Sequence, residues 1–98
     1  MRRAARVDAN QAAIVAVLRK LGAFVQPLHT VGGGCPDLLV GYRQRWLVLE
    51  VKDGRQPPSK RVLTKDEREW IDAAFRHAPV HIVLGVMDVV ELLRSIRP

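Results

Sequence analysis

Two carboxylates and one ammonium stand at spacings that suit metal-assisted hydrolysis: Asp37, Glu50 and Lys52. Glu50 and Lys52 close the run Trp46-Leu-Val-Leu-Glu-Val-Lys52. Alternate side chains of a strand share a face, so these two point the same way. A two-residue turn at Arg43-Gln44 sets Tyr42 opposite Arg45 and, counting back, Asp37 opposite Glu50. Side chains opposite each other across antiparallel strands have Cβ atoms about 5 Å apart. Leu47, Leu49 and Val51 then fall on the other face and are free to pack against a helix. Facing carboxylates repel, so the pair stabilises nothing by itself. A divalent cation removes the conflict, and hard carboxylate oxygens suit Mg²⁺, with Mn²⁺ as a substitute. Such an ion polarises a phosphodiester and activates water, while Lys52 orients that water and stabilises developing negative charge. A Glu-x-Lys pair on a strand is also common as a salt-bridged solvated face. Here the pair ends an apolar strand, and Asp37 begins a strand behind a glycine-rich loop and Pro36.

The elements that must position these groups are legible in the same way. Asp8 is followed three residues on by Gln11, Thr64 by Glu67 and Asp88 by Glu91. Each spacing predicts a helix N-terminus with a capping box. Apolar stripes at helical period follow each one: Ile14, Val17, Leu18 and Leu21, then Ile71, Ala74, Phe75 and Ala78, then Val89, Leu92, Leu93 and Ile96. Gly22 and Pro79 stop the first two helices. Strand-like runs cover Ala23–Leu28, Asp37–Gly41, Trp46–Lys52 and Val80–Val86. The predicted order is α-β-β-β-α-β-α, an α/β fold with a mixed sheet flanked by helices. The tight middle connections demand antiparallel pairing, and the last strand, arriving after a helix, is free to pair parallel. Thr30–Pro36 and Asp53–Ser59, rich in glycine and proline, read as loops. The three glycines Gly32, Gly33 and Gly34 lack the Lys-Ser/Thr of a P-loop, and their use is close backbone approach, to DNA or to the sheet.

Composition limits the partners. The 98 residues fit one domain, and 48% apolar content supports a packed core. A net charge of +6 favours polyanions, nucleic acid first and anionic membrane second. Arg55, Lys60, Arg61, Lys65 and Arg68 follow the Glu-x-Lys strand and suit a phosphate backbone, or else a solvated surface. Residues 1–7, with Arg2, Arg3 and Arg6, read as a flexible basic arm. His29 ends the first strand, to line the site or to bond a loop carbonyl. His77 and His81 have no ligand spacing for zinc. Cys35 is the only cysteine, so no intramolecular disulfide forms and the thiol reads as a small buried side chain. Trp46 and Trp70 fit apolar patterns and read as core, with base stacking as the alternative. No signal peptide or membrane span is expected, which places the chain in the cytoplasm.

Gly34-Cys35-Pro36-Asp37-Leu38-Leu39-Val40 and Leu49-Glu50-Val51-Lys52 together resemble the PD-(D/E)XK nuclease superfamily, in particular its small VRR-NUC-type and phage-encoded members. Leu63-Thr64 leading into Trp70 resembles the helix that follows in those proteins. The resemblance runs from Asp8 to Val86 and implies a restriction-endonuclease-like core. It implies that Asp37, Glu50 and the backbone carbonyl of Val51 hold Mg²⁺, that Lys52 acts on the water, and that DNA is cut to leave a 5′-phosphate and a 3′-hydroxyl. It further implies a bacterial or phage-infected cytoplasm. Two positions depart from the pattern. Many relatives place an acidic residue on the first helix, where this chain has Gln11, which either binds a metal water or caps the helix. The usual glutamine of the second helix is replaced by Glu67. The expected activity is a metal-dependent endonuclease on DNA, including branched or structured DNA. The alternative is a nuclease-like DNA-binding module with weak or partner-dependent catalysis. A body this small offers little binding surface per copy, so a homodimer or larger assembly is expected.

Overall fold

A computed structural model describes residues 7–98. The predicted basic arm at Arg2, Arg3 and Arg6 lies outside the described residues. The chain runs α1 (Gln11–Lys20), β1 (Phe24–Pro27), β2 (Leu38–Tyr42), β3 (Arg45–Val51), α2 (Lys65–Phe75), β4 (His81–Val83) and α3 (Val86–Ser95), with a single 3₁₀ turn at Pro58–Lys60. The strands form one sheet in the order β1-β2-β3-β4. The first three strands are antiparallel neighbours, and β4 joins β3 in parallel. The predicted order and mixed pairing are therefore present.

The β2–β3 hairpin has the expected register, with Tyr42 opposite Arg45 and Leu38 opposite Leu49. Its two turn residues, Arg43 and Gln44, both adopt positive φ, 49° and 66°. A two-residue turn that matches strand twist requires this conformation, which side chains other than glycine adopt at a cost. Contacts of Arg43 help to offset it: its guanidinium lies 5.3 Å from the Tyr42 ring centre, and Nη1 donates to the Ile96 carbonyl at 2.8 Å.

Pairing places Val25, Val40 and Leu47 in one cross-strand row and Leu38 and Leu49 in the next, with Val51 beside Val83. All seven are buried, together with Ile14 and Leu18 of α1 and Val89 and Leu93 of α3. Helices α1 and α3 thus cover one face of the sheet. Burial of side chains such as Leu18 and Leu49 contributes about 1.5–3 kcal/mol each. Ile71 of α2 is buried but stands apart from this cluster.

Several expectations are corrected. Asp8 does not cap α1: the residue before the helix is Asn10, and no side-chain cap bond forms there. The Asn10 amide is used elsewhere, donating to the carbonyls of Lys52 and Leu84, both at 3.2 Å. Helix α3 begins at Val86, not after Asp88, and β4 is correspondingly short. Asp88 lies inside the first turn, where its carboxylate accepts from Leu84 N–H at 2.8 Å. Only the Thr64–Glu67 capping box forms as expected. Leu21, Phe75 and Trp46 are exposed rather than core, Trp46 by 67%. Trp70 is half-buried. No helix among the described residues is long and apolar enough to cross a membrane.

Candidate active site

The sheet face away from α1 and α3 carries Glu50, because Leu49 and Val51 on either side of it belong to the core. Lys52 follows one step beyond the strand, and its ammonium stands 3.7 Å from Glu50 Oε2. The Glu50 residue is 1% exposed, and Oε1 is buried with no hydrogen-bond partner. Burying a polar oxygen unpaired is costly, and a proton shared with the neighbouring Asp37 or Glu67 carboxyl, or a bound cation, offsets that cost.

Asp37 reaches the same place by a route that spacing alone does not foresee. The β2–β3 ladder ends at Leu38, so Asp37 is not itself a ladder residue opposite Glu50. Its backbone N–H donates to the Leu49 carbonyl at 3.0 Å, and its own carbonyl accepts from Leu28 N–H at 2.7 Å. One carboxylate oxygen, Oδ2, accepts from Val51 N–H at 2.7 Å. The side chain thus bonds a backbone N–H of β3 just beyond the end of the ladder and is fixed between β3 and the end of β1.

Glu67 brings α2 to the site. Its Oε1 accepts from Lys52 Nζ at 2.8 Å and from Thr64 N–H at 2.8 Å. The same atom completes the helix cap and holds the lysine. The glycine loop presses on this turn: a Cβ on Gly34 would lie 2.1 Å from the Asp66 carbonyl oxygen, and Gly34 has φ +83°. The close approach expected to DNA or to the sheet is found instead to α2, at Gly34.

These groups border a cleft of about 370 Å³ lined by the three glycines, Cys35, Glu50, Lys52, Lys60, Thr64, Glu67 and Asp8, among others. Asp37 is not part of the lining. The carboxylate read as a helix cap, Asp8, is thus a cleft residue. Gln11, the residue expected to stand in for an acidic group, is 5% exposed and does not line the cleft; its Oε1 is buried without a partner.

Charge is crowded here. Burial pushes Glu50 up to about 9, aided by Asp37 and Glu67 and opposed by Lys52. Burial also raises Asp37, against the Val51 N–H bond and contact with Glu50, while Glu67 and Asp8 push it further. Asp8 is raised by burial and by Asp53 and Glu67, with Lys52 opposing. Burial works against a charged Lys52, but its hydrogen bond to Glu67 and the charges of Glu67, Glu50 and Asp8 raise it above its ordinary value. Burial likewise opposes ionisation of Glu67, yet its bonds from Lys52 and Thr64 hold it below the usual range. The Cys35 thiol is pushed up by burial and by Asp37 and Glu50, which keeps it in the unreactive protonated form. Four carboxyl groups therefore share one ammonium.

The basic residues do not gather equally. Lys60 lines the cleft. Arg55 is folded onto Asp53, with Nε 3.0 Å from Oδ1 and Nη2 2.9 Å from Oδ2, and holds that carboxyl below its usual range. Lys65 and Arg68 are exposed on α2, Arg61 is half-buried, and none of them lines the cleft. His29 is half-buried away from the lining, with Nδ1 buried and unpartnered. Among the described residues no three His, Cys, Asp or Glu side chains form a ready-made metal cage.

Searches against family models, characterised proteins and solved structures return no match to this chain.

Proposed function

We propose that the chain is a metal-dependent endonuclease that hydrolyses DNA phosphodiester bonds, a small PD-(D/E)XK-type enzyme with a restriction-endonuclease-like core resembling VRR-NUC and phage-encoded members. One observation carries the reading. A carboxylate that is 1% exposed, with one oxygen unpartnered, sits at a cleft beside a lysine and among three further carboxyl groups. A divalent cation would offset the cost of ionising that buried group, which otherwise keeps its proton.

Carboxyl oxygens are the donor type that a hard divalent ion takes. Asp37, Glu50 and the Val51 carbonyl would hold Mg²⁺ or Mn²⁺, and Asp8 rather than Gln11 is the residue beside the cleft able to add charge. Bound there, the ion supplies Lewis-acid polarisation of the phosphodiester and lowers the pKa of water. The chain's own groups do the remainder. Val51 N–H fixes the Asp37 carboxylate. Lys52 holds a positive charge where negative charge develops and donates to the attacking water. Glu67 and the α2 cap fix the reach of Lys52. Lys60 presents a charge to the phosphate backbone at the cleft mouth.

A second reading, a DNA-binding module with weak or partner-dependent catalysis, draws on a comparison of two distances. Lys52 Nζ is 2.8 Å from Glu67 and 3.7 Å from Glu50, so its ammonium is committed to α2 in this arrangement. Incubation of the protein with plasmid, single-stranded and branched DNA in Mg²⁺, Mn²⁺ or EDTA separates the two. Metal-dependent cleavage lost in Lys52→Ala and Asp37→Ala is the expected result. Cleavage that survives either substitution overturns the mechanism, and binding without cleavage under every metal favours the second reading. A homodimer in solution is part of the proposal, checked by sedimentation.

A further inference from the structure

The sheet face that carries Glu50 also carries an aromatic row at its far end. Phe24 of β1 pairs with Gly41 of β2, and Gly41 pairs with Trp46 of β3. The glycine lets the indole lean across: a Cβ on Gly41 would come within 3.2 Å of the Trp46 ring. Phe24 and Trp46 meet edge to face, with ring centres 6.1 Å apart and planes at 80°. Both remain open to solvent, Phe24 by 56% and Trp46 by 67%. A glycine covered by aromatics across strands is a known way to stabilise a sheet, but it does not require so much exposed ring surface. The shallow pocket beside them is about 360 Å³, is lined also by Tyr42, Arg43 and Arg45, and contains no acidic residue. Arg45 alternates with Trp46 along β3 and so stands on the other side of the sheet, and Arg43 is bonded to the Ile96 carbonyl.

We propose that this row is a stacking platform for unpaired nucleotides of the substrate, so that the enzyme acts on single-stranded or locally opened nucleic acid. Two exposed aromatic rings, bordering a pocket with no acidic residue and carried by a chain of charge +6, match the π faces and phosphates of a single strand. A buried base pair offers no such face to a sheet. Position supports the same occupant. Trp46 and Glu50 lie on one face of one strand, four residues apart, which is roughly 13 Å. At ~3.4 Å per stacked nucleotide, about four nucleotides bridge the platform and the cleft. The specificity part of this inference rests on the nuclease reading of Glu50 and Lys52; the platform itself does not.

The test is equilibrium binding in EDTA, read by anisotropy of a labelled 15-nucleotide single strand and of the blunt duplex of the same sequence. Parent, Trp46→Leu and Trp46→Phe are compared, with thermal melts to confirm folding. Trp46→Leu is expected to weaken single-strand binding about tenfold or more, with duplex binding much less affected, and Trp46→Phe to retain most of the single-strand affinity. In a Trp70→Phe background, the single strand quenches the remaining indole. Equal affinity in parent and Trp46→Leu overturns the proposal. So does an equal loss for single strand and duplex, or a loss that tracks conversion of a dimer to monomers in sedimentation, which would make this face an interface between copies. Parent protein is assayed separately for cleavage with Mg²⁺. Trp46-dependent binding without any cleavage sustains the platform and overturns the nuclease reading; cleavage without Trp46 dependence does the reverse.

Discussion

The two faces of one four-stranded sheet obey different rules. Under α1 and α3 the face is dry, and Ile14, Leu18, Leu38, Leu49 and Val89 are completely buried. On the opposite face the same strands display Phe24, Trp46 and Ile82 to solvent and bury a carboxylate, Glu50, instead of an apolar side chain. Along β3, Leu47, Leu49 and Val51 stabilise the fold, while Glu50 between them costs it stability. The lesson is one of division. The packed face holds the backbone so that the other face can carry Asp37 and Glu50, with Glu67 of α2, around Lys52. Repulsion in such a site is tolerable only where the scaffold contributes more than the site withdraws.

That contrast is breakable by substitution. The largest expected effect is on catalysis: Lys52→Ala lowers metal-dependent cleavage by about 10²–10³-fold, as loss of a group that stabilises developing charge does. Its thermal stability falls far less than its rate, measured by gel cleavage kinetics beside a melt. If rate and stability fall together, Lys52 belongs to the scaffold and the division between faces is wrong.

Next in size is a matched pair on neighbouring strands. Leu49→Ala, on the packed face, costs about 2–5 kcal/mol in urea unfolding. Ile82→Ala, on the open face and 48% exposed, costs less than about half of that. Equal losses would mean that the second face is also covered, and by a partner.

The third prediction concerns pH. The Glu50 carboxyl is raised from 4.5 to about 9 by burial, Asp37 and Glu67. A group whose folded value lies above its unfolded one stabilises fully below the unfolded value and loses that contribution as pH rises through the folded value. In EDTA the melting temperature should therefore fall between about pH 4.5 and 9, and Glu50→Gln should flatten the fall. Millimolar Mg²⁺ should raise the parent's melting temperature most at the alkaline end, where the carboxylates are free to bind it. An Mg²⁺ effect of the same size in Glu50→Gln would remove Glu50 from the proposed metal site.

The smallest effect sharpens the role of α2. Thr64→Ala removes one half of the capping box and costs about 1 kcal/mol. Because Glu67 serves both the cap and Lys52, cleavage should fall with it, whereas a cap lost elsewhere should leave the rate alone. An unchanged rate would show that Glu67 holds Lys52 without help from the cap.

Much of this is legible in the sequence. Short-range rules carried the element order, the Tyr42–Arg45 register, the single-face grouping of Glu50 with Lys52 and the Thr64–Glu67 box, because each depends on residues within a few positions of one another. The failures have a common cause. Asp8 and Asp88 fit the cap spacing, but Asn10 is held by the distant carbonyls of Lys52 and Leu84, and Asp88 is displaced by a helix that starts earlier. Trp46 fits an apolar strand, and nothing local says which face of that strand remains open.

The sequence alone determined which side chains alternate along β3, and so that Glu50 and Lys52 would share a face that Leu47, Leu49 and Val51 do not. Strand geometry dictates this wherever the strand lies. Only the tertiary structure decided that this face is the one left uncovered by α1 and α3, that Asp37 engages Val51 N–H beyond the end of the ladder, and that Asp8 and Glu67 join the cleft. Those relations join residues far apart in the chain, and they depend on which helix covers which side. No spacing rule within a segment encodes that choice.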